Sequence, residues 1–351
     1  MSRDEPSWWY RGKPGWQARL LAPAGALYGA IACRRMRRAP RKTSILPVIC
    51  IGNFTAGGTG KTPFSIALSD IVREIGHEPV FLSRGYGGSL AGPLLIDPHA
   101  NTAADVGDEP LLLARAAPTV IARDRAEGAN LIERTFGTDA MILMDDGLQN
   151  PSLRKDVAIA VLDINRTVGN GLCIPAGPLR APLSCQMPRV DAVLLSGAAA
   201  SEAEAHARAR LSGLFRGPLL RGEVLPAAGD VKWLRGASVV AYAGIANPDR
   251  FFALLRSLGA VILEQRTYRD HHAFTDAEAS SLLGVAQNQN ARLITTEKDF
   301  VRLYGASGPR GALRDQSLTL PVAMSLQEAD AARLRDLIIA KLDARGPAPR
   351  V

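Results

Sequence analysis

PVICIGNFTAGGTGKTP, from Pro47 to Pro63, decides the reading of this chain. Pro47 to Ile51 is a short apolar run with β-branched residues, the pattern of a buried strand, and it breaks at Gly52-Asn53. Gly57, Gly58 and Gly60 then fall within four residues, followed by Lys61 and Thr62. Beyond Pro63 the apolar positions Ile66, Ala67, Ile71, Val72 and Ile75 recur at three- and four-residue spacing up to Gly76, so a helix follows. Strand, glycine loop, Gly-Lys-Thr and helix in that order make a P-loop. Glycines let backbone N–H groups converge on phosphate oxygens, and the helix N-terminus adds a favourable dipole. Residues Thr55, Ala56, Gly57, Gly58, Thr59, Gly60, Lys61 and Thr62 are therefore expected to hold a nucleotide. Lys61 would reach the β/γ-phosphates and the Thr62 hydroxyl a Mg²⁺ ion. The first glycine of the usual eight-residue pattern is Thr55 here.

Working outward, strand-like runs alternate with helical ones, which predicts a largely parallel sheet with helices on both faces. Pro79 to Ser83 reads as a strand ending in the loop Arg84-Gly85-Tyr86-Gly87-Gly88, and such strand ends face the ligand in open α/β sheets. Gly107-Asp108-Glu109-Pro110 opens a helix with two carboxylates at its positive end, which dipole complementarity alone would also explain. Pro118 to Ala122 is a strand leading into Arg123-Asp124-Arg125. Ala140 to Met144 is another, running into Asp145-Asp146-Gly147. An apolar strand ending in aspartate downstream of a P-loop is the Walker B arrangement, and adjacent carboxylates repel unless a cation shares them. Asp145 and Asp146 are thus expected metal ligands with Thr62. Val157 to Leu162 is a further strand, followed by the Gly- and Pro-rich GNGLCIPAGPLRAPLS with Arg180.

The first 45 residues hold ten basic side chains against Asp4 and Glu5, a local excess equal to the net +8 of the whole 351-residue chain. The basicity is therefore confined to the N-terminus, which argues against nucleic acid as a partner. Trp8, Trp9 and Trp16 lie there too, and Leu20 to Cys33 carries no charge before the cluster Arg34 to Lys42. That run is shorter than the roughly twenty residues a span requires, and Pro23, Gly25 and Gly29 weaken it as a rigid helix. Apolar insertion beside cations suits an anionic membrane surface, so residues 1–42 are read as a membrane-interface segment. A helix docked on the protein itself is the rival reading. Cys33, Cys50, Cys173 and Cys185 show no C-x-x-C pairing and suit reduced thiols in a cytosol.

Residues 43–216 form the expected P-loop domain. Gly and Pro between 217 and 230 suggest a linker, and 231–351 a smaller α/β domain ending in a helix from Ser325 to Ala344. Its loop YRDHHAF carries His271 and His272, two of five histidines. TTEKD (295–299) lacks the asparagine of a guanine-reading motif, and a strand end with a helix N-cap explains it. The fold class is thus α/β: a P-loop NTPase-like sheet, a smaller second domain and the N-terminal segment. A membrane-attached P-loop ATPase acting as a switch would share these features.

The ordered set GNFTAGGTGKTP, SRGYGG, GDEP, MDDGLQ, PAGPLR, AGIANP, DHHAF and TTEKD resembles the tetraacyldisaccharide 4'-kinase (lipid A 4'-kinase) family along nearly the whole chain. The resemblance implies transfer of the ATP γ-phosphate to the 4'-hydroxyl of a tetraacylated glucosamine disaccharide 1-phosphate. It also implies Mg²⁺ as cofactor, the lipid A disaccharide precursor as partner and a place at the cytoplasmic face of the inner membrane. Carried over residue by residue, it puts Lys61 and Thr62 at nucleotide and metal and Asp145 and Asp146 near Mg²⁺. It makes Asp108 the carboxylate paired with the loop histidine His271, and Arg180 a phosphate contact. Arg84, Glu109, Arg123 and Gln149 are expected at the substrate. The family pattern carries glutamate after the arginine and histidine after the glutamine, where this chain has Ala181 and Asn150.

Overall fold

The computed structural model describes residues 5–197, 201–227, 229 and 231–345. The chain runs α1 (Trp16–Met36), β1 (Val48–Gly52), α2 (Lys61–Glu74), β2 (Glu78–Ser83), β3 (Leu94–Leu95), α3 (Ala103–Val106), α4 (Asp108–Ala114), β4 (Thr119–Ile121), α5 (Arg125–Thr135), β5 (Ala140–Asp145) and β6 (Val157–Asp163). It continues through α6 (Leu183–Gln186), β7 (Ala192–Ser196), α7 (Ser201–Ser212), β8 (Leu219–Pro226), β9 (Ser238–Ala243), α8 (Pro248–Ser257) and β10 (Val261–Thr267). Last come α9 (Asp276–Asn288), β11 (Arg292–Thr295), α10 (Glu297–Val301), α11 (Gly308–Gln316), β12 (Ser317–Thr319), β13 (Val322–Leu326) and α12 (Glu328–Asp343).

Nine strands form one sheet in the order β13-β8-β7-β6-β1-β5-β2-β4-β3, and four form a second in the order β10-β9-β11-β12. Only β13 and β3 run antiparallel to their neighbours in the large sheet. β1 is central, with Ile51 in register with Asp145 of β5 and Ile159 of β6. Its side chains alternate between two cores: Val48 and Cys50 join one face, Ile49 and Ile51 the other. A strand covered on both faces needs apolar residues at every position, which is why this run carries no alternation of polarity.

Three expectations are corrected. Residues 217–230 are no linker, because β8 occupies most of them and pairs in parallel with β7; Pro218 precedes the strand and Pro226 is its last residue. Residues 228 and 230 lie outside the described residues, as do the ends of the expected first and last segments (1–4 and 346–351). The C-terminal segment also does not stay with the second sheet. β13 pairs with β8, and Leu334 and Ile338 of α12 join the core beneath Phe64 and Leu68 of α2. Ser325 and Leu326 are strand rather than helix.

The cysteine expectation fails as well: Cys33 and Cys185 form a disulfide with Cα atoms 5.7 Å apart, while Cys50 and Cys173 are free and buried. The bond joins α1 to α6 across 152 residues of sequence, a distance over which no spacing rule operates. α1 is a continuous helix despite Pro23. Its glycines serve close approach, since a Cβ on Gly25 would lie 2.7 Å from the Cys173 carbonyl oxygen and one on Gly29 2.9 Å from Cys173 Sγ. The opposite face exposes Trp16, Leu20, Leu27 and Ile31, each by more than 60%. Trp9, by contrast, is buried and donates its indole N–H to the Pro175 carbonyl at 3.1 Å.

Candidate active site

The P-loop is positioned from both ends. β1 delivers it at the C-terminal edge of the sheet, and Gly60 begins α2 in the left-handed region at φ 88°. A Cβ on Gly60 would sit 2.7 Å from Ser196 Oγ, so both the angle and the space call for glycine. The PAGPLR loop lies alongside. Ala56 N–H donates to the Pro178 carbonyl at 2.8 Å, Arg180 N–H to the Phe54 carbonyl at 2.9 Å, and Thr55 bridges Leu179. Thr55 is buried in that bridge, where a side chain is tolerated and glycine is not required. Thr59 Oγ1 and Ser196 Oγ are buried in and beside the loop without a hydrogen-bond partner among the described residues, polar atoms of the kind a bound phosphate satisfies.

The same loop contact brings Arg180 to the aspartate pair. Its Nη1 donates to both carboxylate oxygens of Asp146 at 2.8 Å, and Lys61 Nζ lies 3.6 Å from Asp146 Oδ1. Burial alone would raise the Asp146 carboxyl, but Lys61 and Arg180 overcome it and hold it well below the usual carboxylate range. Asp145 goes the other way: burial, then the charges of Glu109 and Asp146, push its carboxyl well up. A buried carboxylate under that strain is a natural seat for a cation. Ser83 Oγ donates to Asp145 Oδ2 at 3.4 Å. Among the described residues no group of three His, Cys, Asp or Glu side chains is placed to hold a metal. A hydroxyl and two carboxylates, Thr62, Asp145 and Asp146, are the kind of hard oxygen donors that Mg²⁺ takes, with water and phosphate completing its shell.

Asp108 opens α4 in the large-sheet lobe, and His271 sits in the loop after β10 of the small sheet. The structure brings them together: His271 Nδ1 donates to Asp108 Oδ2 at 3.0 Å, the tautomer being assigned from this network. Asp108 is buried behind the histidine and also accepts the Glu109 N–H at 2.8 Å. Its carboxyl would be raised by burial, but His271, Arg302 and Lys298 hold it far below the ordinary range. The bond to Asp108 raises the imidazole in turn. His271 Nε2 lies 3.7 Å from Asp270 Oδ2, and the ring meets Tyr86 edge-on at 5.4 Å. His272 does something different. It bonds Glu278 at 2.9 Å, within the capping box of α9, and stacks on Tyr268 at 4.9 Å.

One cleft of about 1960 Å³ joins these parts, lined by Lys61, Asp146, Arg180 and His271 and, at its far side, by Tyr28 and Arg35 of α1. Its volume exceeds the roughly 300–1,000 Å³ of ordinary small-molecule sites. Arg84 and Arg123 also line it and are exposed. Glu109 lines it while ion-paired to Lys298. Gln149 lines it but directs its amide N–H groups to the Asn53 carbonyl and Gln186, which fixes the loop. Sequence reasoning chose Arg123 and missed Arg125, which is buried and donates to the backbone carbonyl of Asp145 at 3.1 Å. It also missed Lys298, which lies within TTEKD, a stretch read as a cap and as one of the family motifs but not for this lysine, and Arg302, which lies three residues beyond it. That cap exists, with Thr296 accepting from Asp299 N–H. Ala181 is buried and gives its carbonyl to Gln186, and Asn150 Oδ1 accepts the Ser152 N–H.

Residues 17–343 match the family model described as tetraacyldisaccharide-1-P 4'-kinase. A protein named tetraacyldisaccharide 4'-kinase from Methylobacterium nodulans is 50% identical over 344 residues, 98% of this chain and 97% of that one. A relative of the same name from Methylobacterium sp. strain 4-46 is 51% identical over 343 residues, covering 97% and 99%. Among solved structures, LpxK from Aquifex aeolicus, crystallised in complex with ATP, superposes with a TM-score of 0.69. It is 24% identical, over 92% of this chain and 99% of that one.

Proposed function

The chain belongs to the tetraacyldisaccharide-1-P 4'-kinase family, and we propose that the cleft between its P-loop and His271 is where the transfer takes place. It is an ATP-dependent kinase of lipid A biosynthesis. The γ-phosphate goes to the 4'-hydroxyl of a tetraacylated glucosamine disaccharide 1-phosphate. The switch-ATPase reading is not favoured, because the family model and relatives covering nearly the whole chain are 4'-kinases.

The observation that carries the assignment of residues is the Asp108–His271 pair, 3.0 Å apart and brought from two lobes to the cleft that holds Lys61. Phosphoryl transfer needs positioning and charge neutralisation more than covalent help. The glycine loop and Lys61 hold the triphosphate of ATP. Asp145, Asp146 and the Thr62 hydroxyl would hold Mg²⁺, which supplies charge neutralisation when bound. Arg180, anchored on Asp146 and lining the cleft, would neutralise charge on the transferring phosphate. The acceptor hydroxyl must lose a proton. Asp108 is a poor base because backbone, histidine and arginine already occupy its oxygens. His271 donates Nδ1–H to Asp108 and keeps Nε2 as the acceptor, so it takes the proton. Arg84 and Arg123 on the open rim suit the acidic head of the substrate.

The outward face of α1 carries Trp16, Leu20, Leu27 and Ile31 beside the cluster Arg34, Arg35, Arg37 and Arg38. Among the described residues no helix is long and apolar enough to cross a membrane. The same helix lines the cleft through Tyr28 and Arg35. Together these support α1 lying on an anionic membrane surface, at the cytoplasmic face of the inner membrane, with the cleft open to a lipid that stays in the bilayer. Incubation with γ-labelled ATP, Mg²⁺ and a glucosamine disaccharide lipid tests the reading. Label should appear in lipid and disappear with His271→Ala; label released only as free phosphate would sink it.

A further inference from the structure

We propose that Arg302 is a positioning residue of this site: its guanidinium fixes the Asp108 carboxylate against His271 and balances its charge, leaving the histidine free to take the acceptor's proton. The proposal rests on the Asp108–His271 reading above.

Arg302 directly follows α10 and its side chain is 6% exposed. Nε donates to Asp108 Oδ2 at 2.7 Å, and Nη2 donates to the same oxygen. The other branch is tied down in the small lobe. Nη1 donates to the Gly244 carbonyl at 2.7 Å and to Asp299 Oδ1 at 2.6 Å. Asp299 is itself fixed by the Gly244 N–H at 3.0 Å and the Thr296 hydroxyl at 2.6 Å. The fork is therefore set before Asp108 meets it, and a planar guanidinium makes these contacts where an ammonium does not. One guanidinium holds the end of β9, the cap of α10 and the start of α4 in a single arrangement around the histidine.

The charges facing His271 explain why this matters. Asp108 and Glu109 face it from α4 and Asp270 from its own loop, all favouring the imidazolium. Lys298 pairs with Glu109, Arg302 with Asp108 and Asp299, and Tyr86 adds a ring contact. A histidine facing three carboxylates with no answering cations would hold its proton at neutral pH and could not act as a base. Arg302 takes up part of the Asp108 charge, beside His271 and Lys298. Removing it leaves more of that charge to His271, raises the imidazole further and moves the acid limb of the rate profile to higher pH.

Arg302→Gln keeps an amide donor for the Gly244 carbonyl and drops the charge; Arg302→Lys keeps the charge and drops the fork. Both are compared with the parent and His271→Ala as full chains across pH 5.5–9, reading kcat and KM for ATP and for lipid. In Arg302→Gln the acid limb of kcat/KM should move up by about one pH unit, the low end of what one nearby charge does. Its kcat at neutral pH should fall about tenfold or more, with KM for ATP within about twofold. Arg302→Lys should keep the parent's limb while losing rate. A limb that stays put in Arg302→Gln, or a loss confined to KM for ATP, overturns the proposal. Should the Gln variant fail to fold, Arg302→Lys decides alone, and parent-like kcat there overturns it. An active His271→Ala would instead sink the underlying dyad reading.

Discussion

His271 and Asp146 hold left-handed backbone angles, φ 58° and 48°. Such positions cost on the order of 1–3 kcal/mol for non-glycine residues and persist where the surroundings over-determine them. Here the surroundings are charged partners from distant segments. If His271 and Asp108 act as one unit, their losses should not add. Asp108→Ala and His271→Ala should each lower turnover by roughly 10²–10⁴, and the double variant should be little worse than the poorer single one. Multiplicative losses would mean independent roles. Lys61→Ala should lower kcat by about 10²–10³, the cost of one transition-state charge contact, without unfolding the chain. Stability offers a separate check. The His271 imidazole is raised above its ordinary 6.5 by Asp108. Its contribution is therefore fully present below that value and lost as pH rises through the raised one. The Tm gap between parent and His271→Ala should narrow from pH 6 to pH 8.5; a constant gap would show that the pair is not ionically linked in the folded state. The residues of YRDHHAF alone do not separate its two histidines, because adjacent residues differ only in where the loop turns them; the family resemblance is what points to His271. Arg125 was missed for a similar reason: it starts α5 pointing inward, two residues from an exposed arginine of the same type.

At the level of elements, local patterns were legible and pairings were not. β1, the glycine loop and α2 could be read because strand period, glycine and helix period change within a few residues. β8 reads as a linker because Pro218 precedes it and Pro226 ends it, and only its pairing with β7 on one side and β13 on the other distinguishes it from a loop. α1 combines two readings. Gly25 and Gly29 dock one face, and the disulfide to Cys185 fastens it, while Trp16, Leu20, Leu27 and Ile31 stand in solvent. Leu20→Glu with Leu27→Glu should therefore abolish sedimentation with anionic vesicles while leaving the melting temperature near that of the parent, because both side chains are more than 60% exposed and neither lines the cleft. Parent binding should also weaken as salt rises, through screening of Arg34 to Arg38. Undiminished binding by the double variant would place the membrane contact elsewhere.

For the whole molecule, the decisive fact is that the chain leaves the large sheet after β8, builds the small one, and returns. No Gly- or Pro-rich boundary marks the return, and the helix expected from Ser325 takes in the end of β13. The path has a mechanical consequence, because the small lobe is inserted between β8 and β13 rather than hung on one linker. It meets the large lobe through α4 and α10, where Asp108 pairs with Arg302, Glu109 with Lys298 and Arg115 with Glu297. Leu334 and Ile338 of α12 are fully buried in the core that also holds Phe64 and Leu68, the side chains that seat the P-loop helix. Ile338→Ala should destabilise the protein by about 2–5 kcal/mol, as removal of buried methyls does elsewhere. Because α12 and α2 share that core, urea unfolding followed by ATP binding should shift together with the shift seen by circular dichroism. A chain ending at residue 216 lacks β8, β13 and α12, uncovers Leu194 and Leu68, and should not fold to an ATP-binding form. Soluble, nucleotide-binding protein from that truncation would show the large sheet to be self-sufficient and the returning segment to be an accessory.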